Sequence, residues 1–427
     1  MSGLTAVLVS LGVILAAARL LGKLALLIRQ PQVMGEMTAG ILLGPSVLGS
    51  CAPGLSAALF PAESRESLYV LGQIGLLLFM FLIGMELDPK KLRLHGRPVA
   101  VTSLVSIAFP FCLGVLLALF LHPRVPGNAA RLAHFALFLG TAMSITAFPV
   151  LARILVERKL IDTRLGTMAI ASAAVGDVVG WCMLAGLVLL VRAGTVTDLL
   201  WPGLAAFVVY IAIMLTAVRR LGNSLAAYYD RKGFVTHNIL GAVLFSLLLS
   251  AWVTERVGIH ASFGAFLMGL VMPKAPALVH ALGEKLNDLS MVLLLPVFFV
   301  FTGLRTDIGL LVRDKMWLYL ALVVLVAVIG KLGGTAVAAR ICGIPWREAG
   351  ALGILLNTRG LMELVLLNVG LDVGVISQGM FTIMVLMALL TTFAAAPALE
   401  WVYFSRLFPP RGEAAAPLPE ASPTGLY

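Results

Sequence analysis

From residue 4 to about residue 405 the sequence is a nearly unbroken series of apolar segments separated by short gaps, and that pattern leaves few ways to fold. Backbone in hydrocarbon must satisfy its own hydrogen bonds, so an apolar segment of about 20 residues crosses a bilayer as a helix. By that ruler the sequence holds thirteen candidate spans, roughly 4–28, 33–50, 68–87, 98–121, 133–156, 164–192, 199–218, 236–256, 259–273, 288–305, 316–340, 347–369 and 376–405. The ninth is short for a crossing. The expected fold class is an all-α, multi-pass membrane protein with the lipid bilayer as its solvent.

Composition agrees. Charged residues make up 12% of the chain, against about 25% in soluble globular proteins. The formal charge of +10 does not point to nucleic acid, because the Lys and Arg residues sit in short loops between apolar spans, where they act as topology signals. With the N-terminus outside, inner loops collect roughly 18 of these residues and outer loops roughly 8, a ratio that favours N-out, C-in in a cell (inner) membrane. The opening MSGLTAVLVSLGVILAAARLLG lacks a basic n-region and a cleavage pattern, so it reads as a retained helix. Cys51, Cys112, Cys182 and Cys342 show no metal-binding spacing, and no disulfide, metal centre, cofactor or enzymatic chemistry is expected. The tail 409–427, Ala/Pro-rich after Arg411, reads as disordered and cytoplasmic.

Two segments are interrupted. The fifth, FALFLGTAMSITAFPVLARIL, places Thr141, Ser144, Thr146 and Pro149 at membrane depth; the twelfth, ALGILLNTRGLMELVLLNVG, places Asn357, Thr358, Arg359 and Gly360 there. Irregular backbone at that depth survives only where protein or a water-lined cavity covers it. A matched pair of such interruptions points to a midplane site between inverted repeats. Segments four to six would correspond to eleven to thirteen, seven spans later, and an odd offset inverts the topology. Ser, Thr and Pro also serve as ordinary packing residues in membrane helices.

Four ionisable residues fall deep in apolar segments. Asp177, in AIASAAVGDVVGWCMLAGLVLLV, is about equidistant from the ends of segment six. An ionised carboxylate there costs at least roughly 2.5–3.5 kcal/mol on insertion scales, so such a residue lines a cavity or has a partner. It is also a hard oxygen ligand for Na+ or K+ and can exchange the ion for a proton. Lys331, in VLVAVIGKLGGTAVAAR, is too deep to reach an interface easily and is expected to pair with an acid, with Asp177 as one partner, directly or through Thr or Asn groups. Proton carriage by Lys331 stays open. Arg359 and Glu363, four apart, can form an intrahelical pair that braces the broken helix. Glu36, the pair Glu86 and Asp88, and His260 lie near predicted ends; the acidic pair reads as interfacial anchoring and His260 as structural or pH-sensing.

The stretches QPQVMGEMTAGILLGPSVLG, GQIGLLLFMFLIGMELDPKKL, SITAFPVLARIL, AAVGDV, GIHASFGAFLMGLVMP, LLPVFFVFTGLRTDI and ALGILLNTRGLMELVLLNVGLDVGVIS together resemble the monovalent cation:proton antiporter-2 family, the last being especially similar to its plant cation/H+ exchanger branch. The resemblance implies an antiporter membrane domain over 1–408 with the Na+/H+ antiporter-like fold, inverted repeats with two crossing discontinuous helices. It implies a core of about 98–192 and 316–405 moving against a dimerisation scaffold in a homodimer. It implies exchange of Na+ or K+ for H+ at Asp177, which binds the cation transiently, with Lys331 as the core lysine. Members of the family often carry Asp or Asn immediately before the aspartate, and this chain has Gly176. One titrating carboxylate makes one cation per proton the simplest scheme; a proton also carried by Lys331 would make exchange electrogenic. A cation channel or sodium-coupled solute symporter would use the same broken helices and buried acid, and a sensor subunit that lost transport is the third reading.

Overall fold

A computed structural model describes residues 3–28, 30–86, 96–127, 130–160, 163–193, 200–257 and 259–404. Asp88, the basic loop residues Lys90, Lys91 and Arg93, and the tail 409–427 lie outside the described residues. Every regular element among the described residues is helical.

Nine helices among the described residues are long and apolar enough to cross a membrane: Leu4–Leu27, Glu63–Glu86, Pro98–Leu121, Arg164–Val191, Ala205–Lys232, His237–Val257, Pro276–Arg313, Trp317–Ile341 and Gln378–Tyr403. They account for nine of the thirteen expected spans. Two more, the fifth and twelfth, are broken. Leu132–Ser144 is followed by extended residues 145–147 and then Phe148–Glu157, and Trp346–Leu356 meets Leu361–Asp372 with a 42° bend. The last two are short. Gln32–Leu43 stops at Gly44, just before Pro45, and Ala261–Val271 has only 11 residues, about 16 Å at 1.5 Å per residue.

The arrangement repeats itself. Pro98–Leu121, the first broken helix and Arg164–Val191 form a long–broken–long set, and Trp317–Ile341, the second broken helix and Gln378–Tyr403 form another. The two sets interlock, because Gly330 and Gly334 of the lysine-bearing helix lie against Pro110 and Phe109 of Pro98–Leu121.

With lipid outside, hydrophobic burial does not drive helices together, so close backbone approach and hydrogen bonds do. At one contact, a Cβ on Gly84 would lie 2.2 Å from the Phe266 carbonyl oxygen and one on Gly269 would lie 2.1 Å from that of Phe81. These glycines seat Ala261–Val271 directly on Glu63–Glu86. Lys274 then donates to the carbonyls of Gly84, Met85 and Gly269 at 2.8–3.2 Å and caps both helix ends. His260 is an N-cap: its Nδ1 accepts from the Ser262 N–H at 3.3 Å, which accounts for it structurally.

Replacing Gly269 by Val is expected to destabilise the fold by at least about 1–3 kcal/mol, the usual range for overpacking. Gly241→Ala, where an added methyl meets nothing within 4 Å, should leave stability unchanged or raise it by up to about 1 kcal/mol. Thermal unfolding of the detergent-solubilised protein reads both.

Candidate functional site

A helix that ends leaves its last four carbonyls without intrahelical partners and its first four N–H groups without acceptors. The two breaks create such ends at membrane depth, where water cannot fill in. The chain solves this by making each break cap the other.

The C-terminal end of Leu132–Ser144 is capped by two cations. Arg359 Nη1 donates to the Ala142 carbonyl at 2.6 Å and Nη2 to that of Met143 at 2.9 Å. Lys331 Nζ donates to the Ser144 carbonyl and, at 2.9 Å, to the Ser106 carbonyl on the neighbouring long helix. Positive charge at a helix C-terminus also complements the macrodipole. The C-terminal end of Trp346–Leu356 is capped by neutral groups: the Thr146 hydroxyl donates to the Leu356 carbonyl at 2.9 Å and the Thr358 hydroxyl to that of Leu355 at 2.8 Å. Between the breaks the Ala147 N–H donates to the Thr358 carbonyl at 2.9 Å, so the two discontinuous helices cross with their interrupted backbones in contact. The Thr392 hydroxyl completes the junction, accepting from the Arg359 N–H and donating to the Arg359 carbonyl, both at 2.8 Å.

Lys331 sits within one π turn, Ile329–Gly333. Such turns inside α-helices are frequent at functional sites. Lys331 and Arg359 are both essentially without solvent exposure.

Asp177 lies on the unbroken Arg164–Ala193 helix and is 4% exposed. The helix is held against both breaks: a Cβ on Gly180 would meet Met362 Cε at 3.1 Å and Ile145 Cγ1 at 3.4 Å. The backbone of Phe148, at the start of the second half of the first broken helix, faces the Asp177 carboxylate. Its Oδ1 has no hydrogen-bond partner. Lys331 is spent on main-chain carbonyls and makes no direct ion pair with Asp177, contrary to the direct pairing considered from sequence. Glu363 is fully buried and lies 3.5 Å from Arg359, as the i,i+4 spacing anticipates.

The other sequence candidates divide. Thr141 donates to the Leu137 carbonyl of its own helix at 2.7 Å, and Ser144 donates to the Ile107 and Gly140 carbonyls, both at 2.9 Å. These hydroxyls and those of Thr146 and Thr358 spend their protons on carbonyls, which leaves oxygen lone pairs as the remaining chemistry. Asn357 is 5% exposed and its Oδ1 has no partner. Gly176 is not imposed by packing, since an added Cβ would meet nothing within 4 Å. Sequence reading missed Ser106 and Thr392; the only signal for the latter is the pair of threonines in LLTTFAA.

A cavity of about 1010 Å³ leads to this junction. Phe148 and Leu361, the first residues of the second halves of both broken helices, form part of its wall, and Glu36, Glu86 and Lys274 line it farther out.

A polytopic helical protein with two mutually capped broken helices, a cavity reaching their junction and a buried carboxylate with an oxygen left without a hydrogen-bond partner is a membrane transporter by architecture. The family described as "Sodium/hydrogen exchanger, transmembrane" matches residues 11–404, and the chain belongs to that family. It is 43% identical to the Na+/H+ antiporter NhaS4 of Synechocystis over 398 residues, covering 93% of this chain and 97% of that protein. Cation/H+ antiporter 17 of Arabidopsis thaliana is 40% identical over 92% of this chain but only 47% of its own length, and K+/H+ antiporter 1 of Saccharomyces cerevisiae 33% identical over 88% and 44%. The chain thus spans about half the length of those two relatives. The solved structure of the sodium proton antiporter MjNhaP1 from Methanocaldococcus jannaschii superposes with a TM-score of 0.61 at 16% identity, covering 93% of this chain and 97% of that one, which shows a shared fold.

Arg359→Met leaves the Ala142 and Met143 carbonyls bare and Glu363 without its cation. A loss of about 3–5 kcal/mol is expected, the range for breaking a buried pair. Thr146→Val should cost about 1–3 kcal/mol through one unsatisfied carbonyl. Denaturant or thermal unfolding in detergent checks the order of the two.

Proposed function

We propose that this chain is a monovalent cation/proton antiporter that exchanges Na+ or K+ for H+ at Asp177 by alternating access. The observation that carries the reading is the Asp177 carboxylate itself: buried, faced by the Phe148 backbone, and left with a bare oxygen although Lys331 and Arg359 lie in the same junction. A bare buried charge is expensive, and either a proton or a monovalent cation relieves that cost. Because each excludes the other from one oxygen, occupancy alternates and the two fluxes are coupled. Backbone carbonyls, hydroxyl oxygens of Thr146 and Thr358, and Asn357 Oδ1 supply the kind of neutral donors that a weakly held alkali cation takes. Lys331 and Arg359 serve as fixed positive caps in this scheme, so the site titrates through one carboxylate and one cation exchanges per proton.

The wider assignment follows the same reading. The core is residues 98–192 and 316–405, the remaining helices form the scaffold of a homodimer, and the N-terminus faces outside with the cavity open to the cytoplasm, as the Lys/Arg bias supports. The names of the relatives, Na+/H+ and K+/H+ antiporters, support both cations as substrates.

In proteoliposomes, an imposed Na+ or K+ gradient is expected to move protons in the opposite sense, and Asp177→Asn to reduce that movement to the rate of empty liposomes. Cation current without proton counterflow would mean a channel, and retention of exchange in Asp177→Asn would place the site elsewhere.

A further inference from the structure

The helices that carry the cavity at one end carry a cluster of polar contacts at the other. On Glu63–Glu86 the cavity is lined by Phe79 and Leu82, and Tyr69 lies about 15 Å away along the axis. On Leu361–Asp372, Leu361 reaches the cavity while Asp372 closes the helix about 16 Å away. On the helix through Pro276–Arg313, residues from Pro276 to Phe299 reach the cavity and Arg305 lies beyond them.

At that far end Arg305 ties the three together. Its Nη2 donates to Asp372 Oδ1 at 2.6 Å and its Nη1 to Asn368 Oδ1 at 2.9 Å. Asp372 Oδ2 accepts from the Tyr69 hydroxyl at 3.3 Å, and the Asn368 amide donates to the Thr302 hydroxyl at 3.0 Å. The guanidinium lies between the rings of Phe301 and Phe381, 5.9 and 5.8 Å from their centroids. The main chain joins in, with the Asp307 N–H donating to Thr382 at 3.2 Å and the Gln378 amide donating to the Arg305 carbonyl. Tyr69, Thr302 and Arg305 belong to helices on one wall of the cavity, and Asn368, Asp372, Gln378 and Thr382 to the broken helix and its successor on the other side.

One interface is therefore parted at one end and clasped at the other by charge-assisted hydrogen bonds, the stronger class of such contacts. A buried site that alternates between two sides needs that relation to reverse. We propose that Arg305 is the clasp closing the face opposite the cavity, a positioning residue that must release Asp372 and Asn368 each time the site turns to that side. This rests on the alternating-access reading above. Arg305 acts on the populations of the two states through the core helix and touches neither cation nor proton.

The test uses the full chain with Cys51, Cys112, Cys182 and Cys342 replaced by Ala, and Ala152→Cys as a reporter in the cavity wall. Membrane vesicles oriented with the cavity outward are labelled with a membrane-impermeant maleimide. Weakening the clasp with Arg305→Gln or Asp372→Asn is expected to slow labelling at least about threefold, because the cavity-open state loses population. Tyr69→Phe should slow it less. Unchanged labelling rates in both Arg305→Gln and Asp372→Asn would overturn the proposal, including the case in which the melting temperature falls while the rate stays the same, since that is the signature of a purely structural contact. Should Arg305→Gln fail to fold, Asp372→Asn decides alone. Labelling does not depend on which ions move, so failure of the clasp and failure of the antiport reading are separate results.

Discussion

The structure depends on the reciprocal capping of two helix breaks at membrane depth. Each interruption exposes main-chain carbonyls and N–H groups that hydrocarbon would leave unpaired at several kcal/mol apiece. Here Arg359 and Lys331 take three carbonyls of the first break, Thr146 and Thr358 take two of the second, and one backbone bond joins the breaks directly. Neither break is stable without the other. The junction also fixes the half-helix starting at Phe148 so that its backbone faces Asp177.

The same allocation of donors underlies the exchange proposed at the carboxylate. In a junction that holds two cations and two acids, the simplest arrangement pairs them off and leaves nothing reactive. Instead Lys331 is committed to Ser106 and Ser144 carbonyls, and Arg359 to Ala142 and Met143 with Glu363 at 3.5 Å. Asp177 keeps an unpaired oxygen, while Glu363, also without a hydrogen bond to either oxygen, has the Arg359 guanidinium as its ion-pair partner. Structural demand for capping at the first break thus takes up both cations and leaves the aspartate free for the proposed chemistry.

Much of this was legible in the sequence, and what was not has a physical reason. Apolar runs long enough to span a bilayer identified nine long helices, and Thr, Ser, Asn and Gly at membrane depth identified the two breaks, because both signals reside in local composition. The brevity of Ala261–Val271 shows in the short ninth segment, whereas that of Gln32–Leu43 does not, because an apolar run does not register a Gly-Pro stop. The Arg359–Glu363 pair follows from helical spacing alone. The partners of Lys331 did not, since main-chain carbonyls carry no residue identity, and an acid elsewhere in the core was the only partner a sequence can suggest. Arg305 lies at the edge of an apolar segment, where its pairing with Asn368 and Asp372, more than sixty residues on, leaves no pattern in the sequence. Ser106 and Thr392 are single hydroxyls among many, set apart only by what faces them.

The central claim is that one oxygen serves cation and proton in turn. Because a cation-bound carboxylate must be deprotonated, binding should release protons. The most direct measurement is proton release into weak buffer when Na+ or K+ is added to the purified, detergent-solubilised protein, alongside cation uptake by calorimetry. At a pH where the cation-free carboxylate is protonated, the account predicts about one proton released per cation bound, and neither release nor binding in Asp177→Asn. Cation binding without proton release, or release that survives in Asp177→Asn, would contradict it.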